Sequence, residues 1–389
     1  MMWVDNDLTA FAGGKLAAVG GADENLPMAA LDGYSQGDGS QHVNFVDGQG
    51  HVHELYRSPD PAAQWVDNDL TDFAGAGSLA EGSAISLIDG YSQADGSQHV
   101  NYIDGFGNVL ELYRSPDPAA QWVVNNLGSR GFIAIAAYSQ DDGSQHAIFN
   151  NVGTDNEDGH IHELYRSPDP AAQWVENDLT WSAHGTPAFQ TPLDGYSQDD
   201  GSQHVNFLAG GHVHELYRSP DPAAQWVDND LTALAKGTPA GLTNDDSGTL
   251  AGYSRGDNSQ HVIFIDAGGH VHELYRSTDP AAQWVDNDLT KLADGAPAPQ
   301  SISLVGYSRG DNSQHVIFID DGGHVHELYR STDPAAQWVD KDLTKLAGGA
   351  PATLLSGLSR LDGYSQGDGS QHVNFIDTGG HVHELYIKP

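Results

Sequence analysis

Residues 50–65, "GHVHELYRSPDPAAQW", place several chemically able side chains in one short stretch. His51 and His53 flank a valine, Glu54 follows at once, and a turn of Ser, Pro and Asp leads to Trp65. Two imidazoles on one side of a strand are the donors that zinc or iron takes. A histidine beside a carboxylate is the pairing of general acid–base catalysis. A carboxylate acceptor, an imidazole donor and an indole face are also what a sugar ring needs, with hydroxyls to satisfy and an apolar patch to stack. The fourth reading is packing, with each polar group satisfied inside the fold.

The elements that position these residues are announced by repetition. "GYS" or "AYS" begins at Gly33, Gly90, Ala137, Gly195, Gly252, Gly306 and Gly363. "SQH" follows each, and then a strand-like run ending in "ELY", with glutamates Glu54, Glu111, Glu163, Glu215, Glu273, Glu327 and Glu384. "WV" is headed by Trp3, Trp65, Trp122, Trp174, Trp226, Trp284 and Trp338. Each unit holds four short segments rich in Val, Ile, Phe and Tyr, in the first copy "LDGYSQ", "SQHVNFVD", "HVHELYR" and "WVDNDLT". They are joined by turn sequences, "GDG", "DGQG" and "SPDP", and helical periodicity is missing throughout.

Four strands repeated seven times predict an all-β fold, a seven-bladed β-propeller with four antiparallel strands per blade. "SPDPAAQW" fits the Asp-box pattern Ser-x-Asp-x-Gly-x-x-Trp except for Ala62 at the glycine position. In propellers that turn joins the third strand of a blade to the fourth, so ELY is third and WV outermost. Blades are expected to start near residues 31, 88, 135, 193, 250, 304 and 361 of a single domain over 1–389. The chain opens on a WV segment and closes on "HVHELYIKP", so residues 3–9 should complete blade seven and remove a sheet edge.

Composition narrows the partners. Sixteen basic residues against 54 acidic ones leave a formal charge of −38, a field that repels nucleic acid and anionic lipid. The acidity is spread along the chain and reads as a solubilising surface. With no cysteine there are no disulfides and no thiolate ligands. No apolar run approaches the roughly 20 residues of a membrane span. "MMWVDNDLTA" lacks the basic start and apolar core of a signal peptide. The expectation is a soluble protein, cytoplasmic when made and able to leave the cell only by a leaderless route.

Nineteen of the 20 histidines fall at the repeat positions of His42, His51 and His53, and only His184 lies outside. On a strand His51 and His53 share one face and Glu54 takes the other, so the pair offers a metal two nitrogens and no third ligand. Blade two replaces the pair with Asn108 and Leu110 and keeps Glu111. A metal or other cofactor is therefore not expected. Catalysis is not expected either, because seven near-equal copies suit avidity, whereas chemistry needs one preorganised constellation. The aspartates of "SPDP", "DGYS" and "NDLT" read as residues that tie backbone amides at turns and strand ends.

At "SQHVNFVDGQGHVHELY" and "WVDNDLT" the chain resembles the bacterial seven-bladed β-propeller lectins of the PLL type, and the resemblance runs through every blade. It implies multivalent, non-catalytic binding of glycans bearing L-fucose or O-methylated sugars, in clefts between neighbouring blades. Lectins of this type often assemble into homo-oligomers. A more distant resemblance, to six-bladed fucose lectins with an Arg on the second strand, a Glu on the third and a Trp beyond, implies the site residues. His42 falls at the arginine position, Glu54 on the glutamate and Trp65, or its neighbour-blade equivalent, on the aromatic. The same positions are His99 and Trp122, His204 and Trp226, His261 and Trp284, His315 and Trp338, and His372 with Trp3; blade three contributes Trp174. Tyr56 and Gln41 would line the rim. Histidine in place of arginine weakens a charge-assisted hydrogen bond to the sugar and implies binding that changes near the histidine pKa. The alternative is a non-catalytic scaffold for a protein partner, with the His and Glu residues as internal glue.

The copies differ. Blade three carries Ala137 for Gly, "AIFN" for "VNF", an inserted "NVGTDNEDG" and "NNLG" at its entry in place of "NDLT", and its clefts are expected to bind weakly. Blades five and six carry Arg255 and Arg309 for Gln and Ile263 and Ile317 for Asn, which divides the clefts into two classes.

Overall fold

A computed structural model describes residues 2–19, 30–76, 88–130, 134–151, 159–169, 171–188, 191–221, 223–242, 248–279, 281–299, 303–333, 335–354 and 361–388. Most of the blade-three insertion and of the variable stretch 72–88 lies outside the described residues.

The strand words fold as antiparallel sheets of four, and there are seven of them, so the protein is a seven-bladed β-propeller. In blade one the order is Leu31–Ser35, Gln41–Val46, Val52–Arg57 and Val66–Asp69, from inner to outer strand. The Asp60 carboxylate accepts the Ala62 N–H at 2.9 Å in the turn between third and fourth strands, so the Asp-box placement holds although Ala62 replaces glycine. In blade seven the outer strand is Val4–Asp7, paired with Val382–Ile387 in the register Val4↔Tyr386 and Asn6↔Glu384. By their contacts the residues divide into two compact units. One is Met1–Ile135, Gly322–Val325 and Leu343–Pro389, and the other is Ala136–Asp321 and His326–Asp342.

Strand parity gives each blade two unlike faces. Val43, Phe45 and Leu55 of blade one point one way, and His42, Asn44, Glu54 and Tyr56, matched across the ladder as His42↔Tyr56 and Asn44↔Glu54, point the other. Within the first unit the apolar face of blade one packs on Ile376 and Val382 of blade seven, with Leu31 and Trp65 in the same cluster. Val46 and Val52, at the far end of the polar face, meet Val100, Tyr102, Leu112 and Trp122 of blade two. Within the second unit Leu208 and Val213 meet Val262, Phe264, Leu274 and Trp284 in the same way. Each fully buried phenylalanine of this kind contributes about 1.5–3 kcal/mol by leaving water. The blades approach so closely at the inner strand that a Cβ on Gly90 would come within 2.5 Å of Asn44 Nδ2, which is why that word needs glycine.

The structure adds one-turn helices that the sequence pattern did not announce, among them Leu8–Ala12, Leu70–Phe73 and Leu179–Ala183. They are too short to show a helical period. The "NDLT" word makes them: Asp69 caps the helix by accepting the Asp72 N–H at 2.8 Å, and Thr71 Oγ1 accepts the Val52 N–H at 2.8 Å, locking the helix onto the third strand. "DGYS" ties backbone between blades, since Asp32 accepts the Gly90 N–H at 2.8 Å. Among the described residues no helix is long and apolar enough to cross a membrane.

Candidate functional site

The polar face of each blade carries a chain of buried hydrogen bonds built from the repeated words. In blade one Ser40 Oγ lies 2.9 Å from His42 Nε2, and His42 Nδ1 lies 2.7 Å from Glu54 Oε1. The other carboxylate oxygen accepts from Asn68 Nδ2 at 3.0 Å. His42 is stacked on Tyr34 (centroids 4.8 Å apart, planes 4° apart) and tilted against Tyr56. The same His–Glu contact, 2.7–2.8 Å long, joins His99 to Glu111, His146 to Glu163, His204 to Glu215, His261 to Glu273, His315 to Glu327 and His372 to Glu384.

These chains extend into the neighbouring blade. Gln98 Nε2 is 3.1 Å from His42 Nδ1, and the Gln98 carbonyl oxygen accepts from Arg114 Nη1 at 3.1 Å. Gln41 reaches His372 at 3.0 Å, and in the second unit Gln260 reaches His204 and Gln314 reaches His261. Gln98 and Gln41 therefore each bridge the guanidinium of their own blade and the buried imidazole of the blade before.

Above this layer, between blades seven and one, lies an open cavity of about 900 Å³. Arg57 and Gln41 of blade one and Tyr386 of blade seven line it, with Pro59 and the carboxylates of Asp38, Asp60 and Asp368. Arg57 is braced by Nε donating to the Ala63 carbonyl at 3.3 Å. A permanent cation, a half-buried phenol ring and several carboxylates around one concave space are the parts that orient a polyhydroxylated ligand with one apolar edge.

The sequence-predicted residues fall in two layers. His42, His99, His204, His261, His315 and His372, with all seven glutamates of the ELY words, are buried, the histidines 0–1% exposed. Six of the tryptophans, Trp3, Trp65, Trp122, Trp226, Trp284 and Trp338, are buried, Trp65, Trp122, Trp284 and Trp338 of them in inter-blade clusters, and Trp174 is half-buried. Tyr56 is half-buried at the end of the third strand, and its blade-seven equivalent Tyr386 lines the cavity. Sequence reasoning did not single out the Arg57 position. The signal was present: six blades read "ELYR", and blade seven reads "ELYI".

Burial sets the charge states of this layer. Burial, then the nearby Glu54, pushes the Tyr34 phenol well above its ordinary value, so it stays neutral. For Glu273 burial alone would raise the carboxyl. The hydrogen bond and charge of His261, the Asn287 amide and Arg330 outweigh it and hold the group below its usual range. Glu327 is held low in the same way by His315 and Lys341, against burial.

No protein-family model and no curated protein matches this chain. Solved structures do. The BP39L lectin from Burkholderia pseudomallei superposes with a TM-score of 0.66 at 14% identity, over 93% of this chain and 96% of that one. AofleA from Arthrobotrys oligospora gives a TM-score of 0.52 at 11% identity, over 84% of this chain and 90% of that one. At these identities the likeness is one of fold.

Proposed function

We propose that the protein is a multivalent lectin that takes fucose-like or O-methylated sugars in the clefts between its blades. The cavity lined by Arg57, Gln41 and Tyr386 is the observation that carries this reading. The ring of Tyr386 offers a face to the methyl edge of a deoxysugar, the guanidinium donates to ring hydroxyls, and the carboxylates accept from them. BP39L, which shares the fold, is itself a lectin.

In this proposal the His42-type and Glu54-type residues act beneath the ligand. They hold the glutamine that holds the arginine, and so fix the cleft in a binding geometry before the sugar arrives. The Trp65-type residues set the blade spacing. The reading includes no catalysis: Ser40, His42 and Glu54 form a Ser–His–Glu series, but all three are buried and the series recurs in other blades. Each cleft should bind on the order of 4–6 kcal/mol, in the millimolar to high-micromolar range, and several clefts on one chain raise the apparent strength by orders of magnitude.

A glycan array with fucosylated and O-methylated sugars tests this, with free L-fucose as competitor. The expected result is binding that free fucose inhibits. A blank array from folded protein would overturn it and favour the scaffold reading, to which the buried His–Glu pairs already lend themselves.

A further inference from the structure

The opposite end of the third strand carries a different chemistry. In blade one His51 and His53 meet Asp47 from the preceding turn and Asp67 and Asp69 from the outer strand. His53 is 3% exposed. Its Nδ1 lies 2.8 Å from Asp67 Oδ1 and donates to it, and in the neutral ring this leaves the Nε2 lone pair available to a ligand. Nε2 is buried, has no hydrogen-bond partner among the described residues, and faces Asp47 Oδ2 at 3.6 Å and Asp69 Oδ2 at 3.9 Å. His51 Nδ1 sits 2.7 Å from the same Asp69 oxygen.

Both carboxylates are anchored by their other oxygen. Asp47 Oδ1 accepts the N–H groups of Gln49 and His51, and Asp69 Oδ1 caps the short helix at Asp72. Their Oδ2 atoms are thus held toward the imidazoles by the backbone. Three carboxylates converge on one buried ring, and among the described residues no lysine or arginine side chain pairs with them. Such a group calls for a cation at its centre.

We propose that this cluster is a divalent transition-metal site, with His53 Nε2, a ring nitrogen of His51 and the carboxylates of Asp47 and Asp69 as ligands. Asp67 is a positioning residue: its hydrogen bond to Nδ1 fixes the tautomer that leaves Nε2 free, the arrangement by which carboxylates orient metal-bound histidines. Mixed imidazole and carboxylate donors suit zinc and disfavour calcium, which takes oxygen alone. Ligand atoms of His51, His53 and Asp69 already lie within 4.8 Å of one another. The His51 and Asp69 side chains, each 28% exposed, leave the outer side open to water.

The blades supply their own comparison. In blade five His272 Nδ1 lies 2.8 Å from Asp286, and its unpartnered Nε2 faces Asp266 Oδ2 at 3.4 Å. In blade seven His383 Nδ1 lies 2.8 Å from Asp5 and its Nε2 3.5 Å from Asp377. Blade six has the same residue types at the same spacing. The other three lack the full set: Ala209 replaces the turn aspartate in blade four, blade two lacks both histidines, and blade three has Asn151 for the turn aspartate while its His160, His162 and Asp178 still converge.

The test is equilibrium dialysis of the full chain against Zn²⁺ at pH 7.5, with excess Mg²⁺ to suppress loose binding to surface carboxylates, followed by elemental analysis. About four retained equivalents are expected, from one site in each complete blade. Asp47→Ala copies blade four and should remove one equivalent, and Ala209→Asp copies blade one and should add one. Each variant takes a residue this chain already carries at the matching place, and Ala209→Asp decides the matter even if Asp47→Ala fails to fold. No retained zinc would show that protons alone neutralise the cluster and would overturn the proposal. A count that neither variant changes would overturn it too.

Discussion

Blade one and blade three differ in most of their visible words. Blade three has Ala137 in place of the inner glycine, Ile148 in place of Asn44 and Asn151 in place of Asp47. Its tryptophan, Trp174, is half-buried where Trp65 is buried, and it exposes a second indole, Trp181, on its short helix. Their centres, however, match closely. Ser–His, His–Glu and Asn–Glu distances are 2.9, 2.7 and 3.0 Å in blade one and 3.1, 2.8 and 2.9 Å in blade three. The buried chain of hydrogen bonds therefore belongs to the fold, and the residues around the cleft and at the far turn are where the blades diverge.

The largest effect that could break this comparison is loss of a central carboxylate. Glu54→Ala takes the carboxylate from the buried His42 Nδ1 and from the half-buried Asn68 amide and is expected to cost about 3 kcal/mol. Glu163→Ala in blade three should cost the same within about 1 kcal/mol, read by chemical denaturation. A blade-three variant as stable as wild type would show that its network is not structural. Next in size is Arg57→Ala, which should weaken sugar binding in its own cleft by about tenfold or more, equivalent to about 1.4 kcal/mol, with the denaturation midpoint nearly unchanged.

The pH response separates the inner strands from the central pairs. Burial pushes the Asp362 carboxyl up to about 7, against hydrogen bonds from Gly363, Asn374 and Gly33, and burial takes Asp194 to about 6. A carboxyl raised in the folded state contributes stability below its unfolded pKa, near 3.8, and loses it as pH climbs through the folded value. Glu273 and Glu327 are depressed, so their contribution is present above about 4.5 and lost as acid protonates them. Stability should therefore peak between those ranges, and Asp362→Asn should flatten the decline from pH 4 to 7. A decline left as steep in that variant would sink the assignment. The smallest effect concerns the helix of blade three, which ends on His184 at φ 50°, where the helix before blade one ends on Gly13. His184→Gly should gain about 0.5 kcal/mol by relieving that left-handed residue.

The propeller was legible because period-two segments, turn words and a sevenfold count all pointed to it. The burial of His42 and Glu54 was not, since strand parity assigns a face but does not say how near the next blade comes. The arginine of the cavity is less legible although "ELYR" stands six times in the sequence, because a strand-end arginine is ordinarily a solvated charge and only the fold brings it over the neighbouring blade. The carboxylates around His53 were invisible for another reason. They come from a turn and an outer strand, and only the ladder pairing His53↔Asp69 brings them to the histidine pair.

In the proposed function the clefts take sugars over a buried structural layer. Calorimetric titration of the wild type and of Arg57→Ala with methyl α-L-fucoside tests it most directly. Several weak sites per chain are expected, one fewer in the variant, with unchanged thermal unfolding. Folded protein that gives no binding heat at tens of millimolar fucoside, or a variant that loses sites only by unfolding, would contradict it.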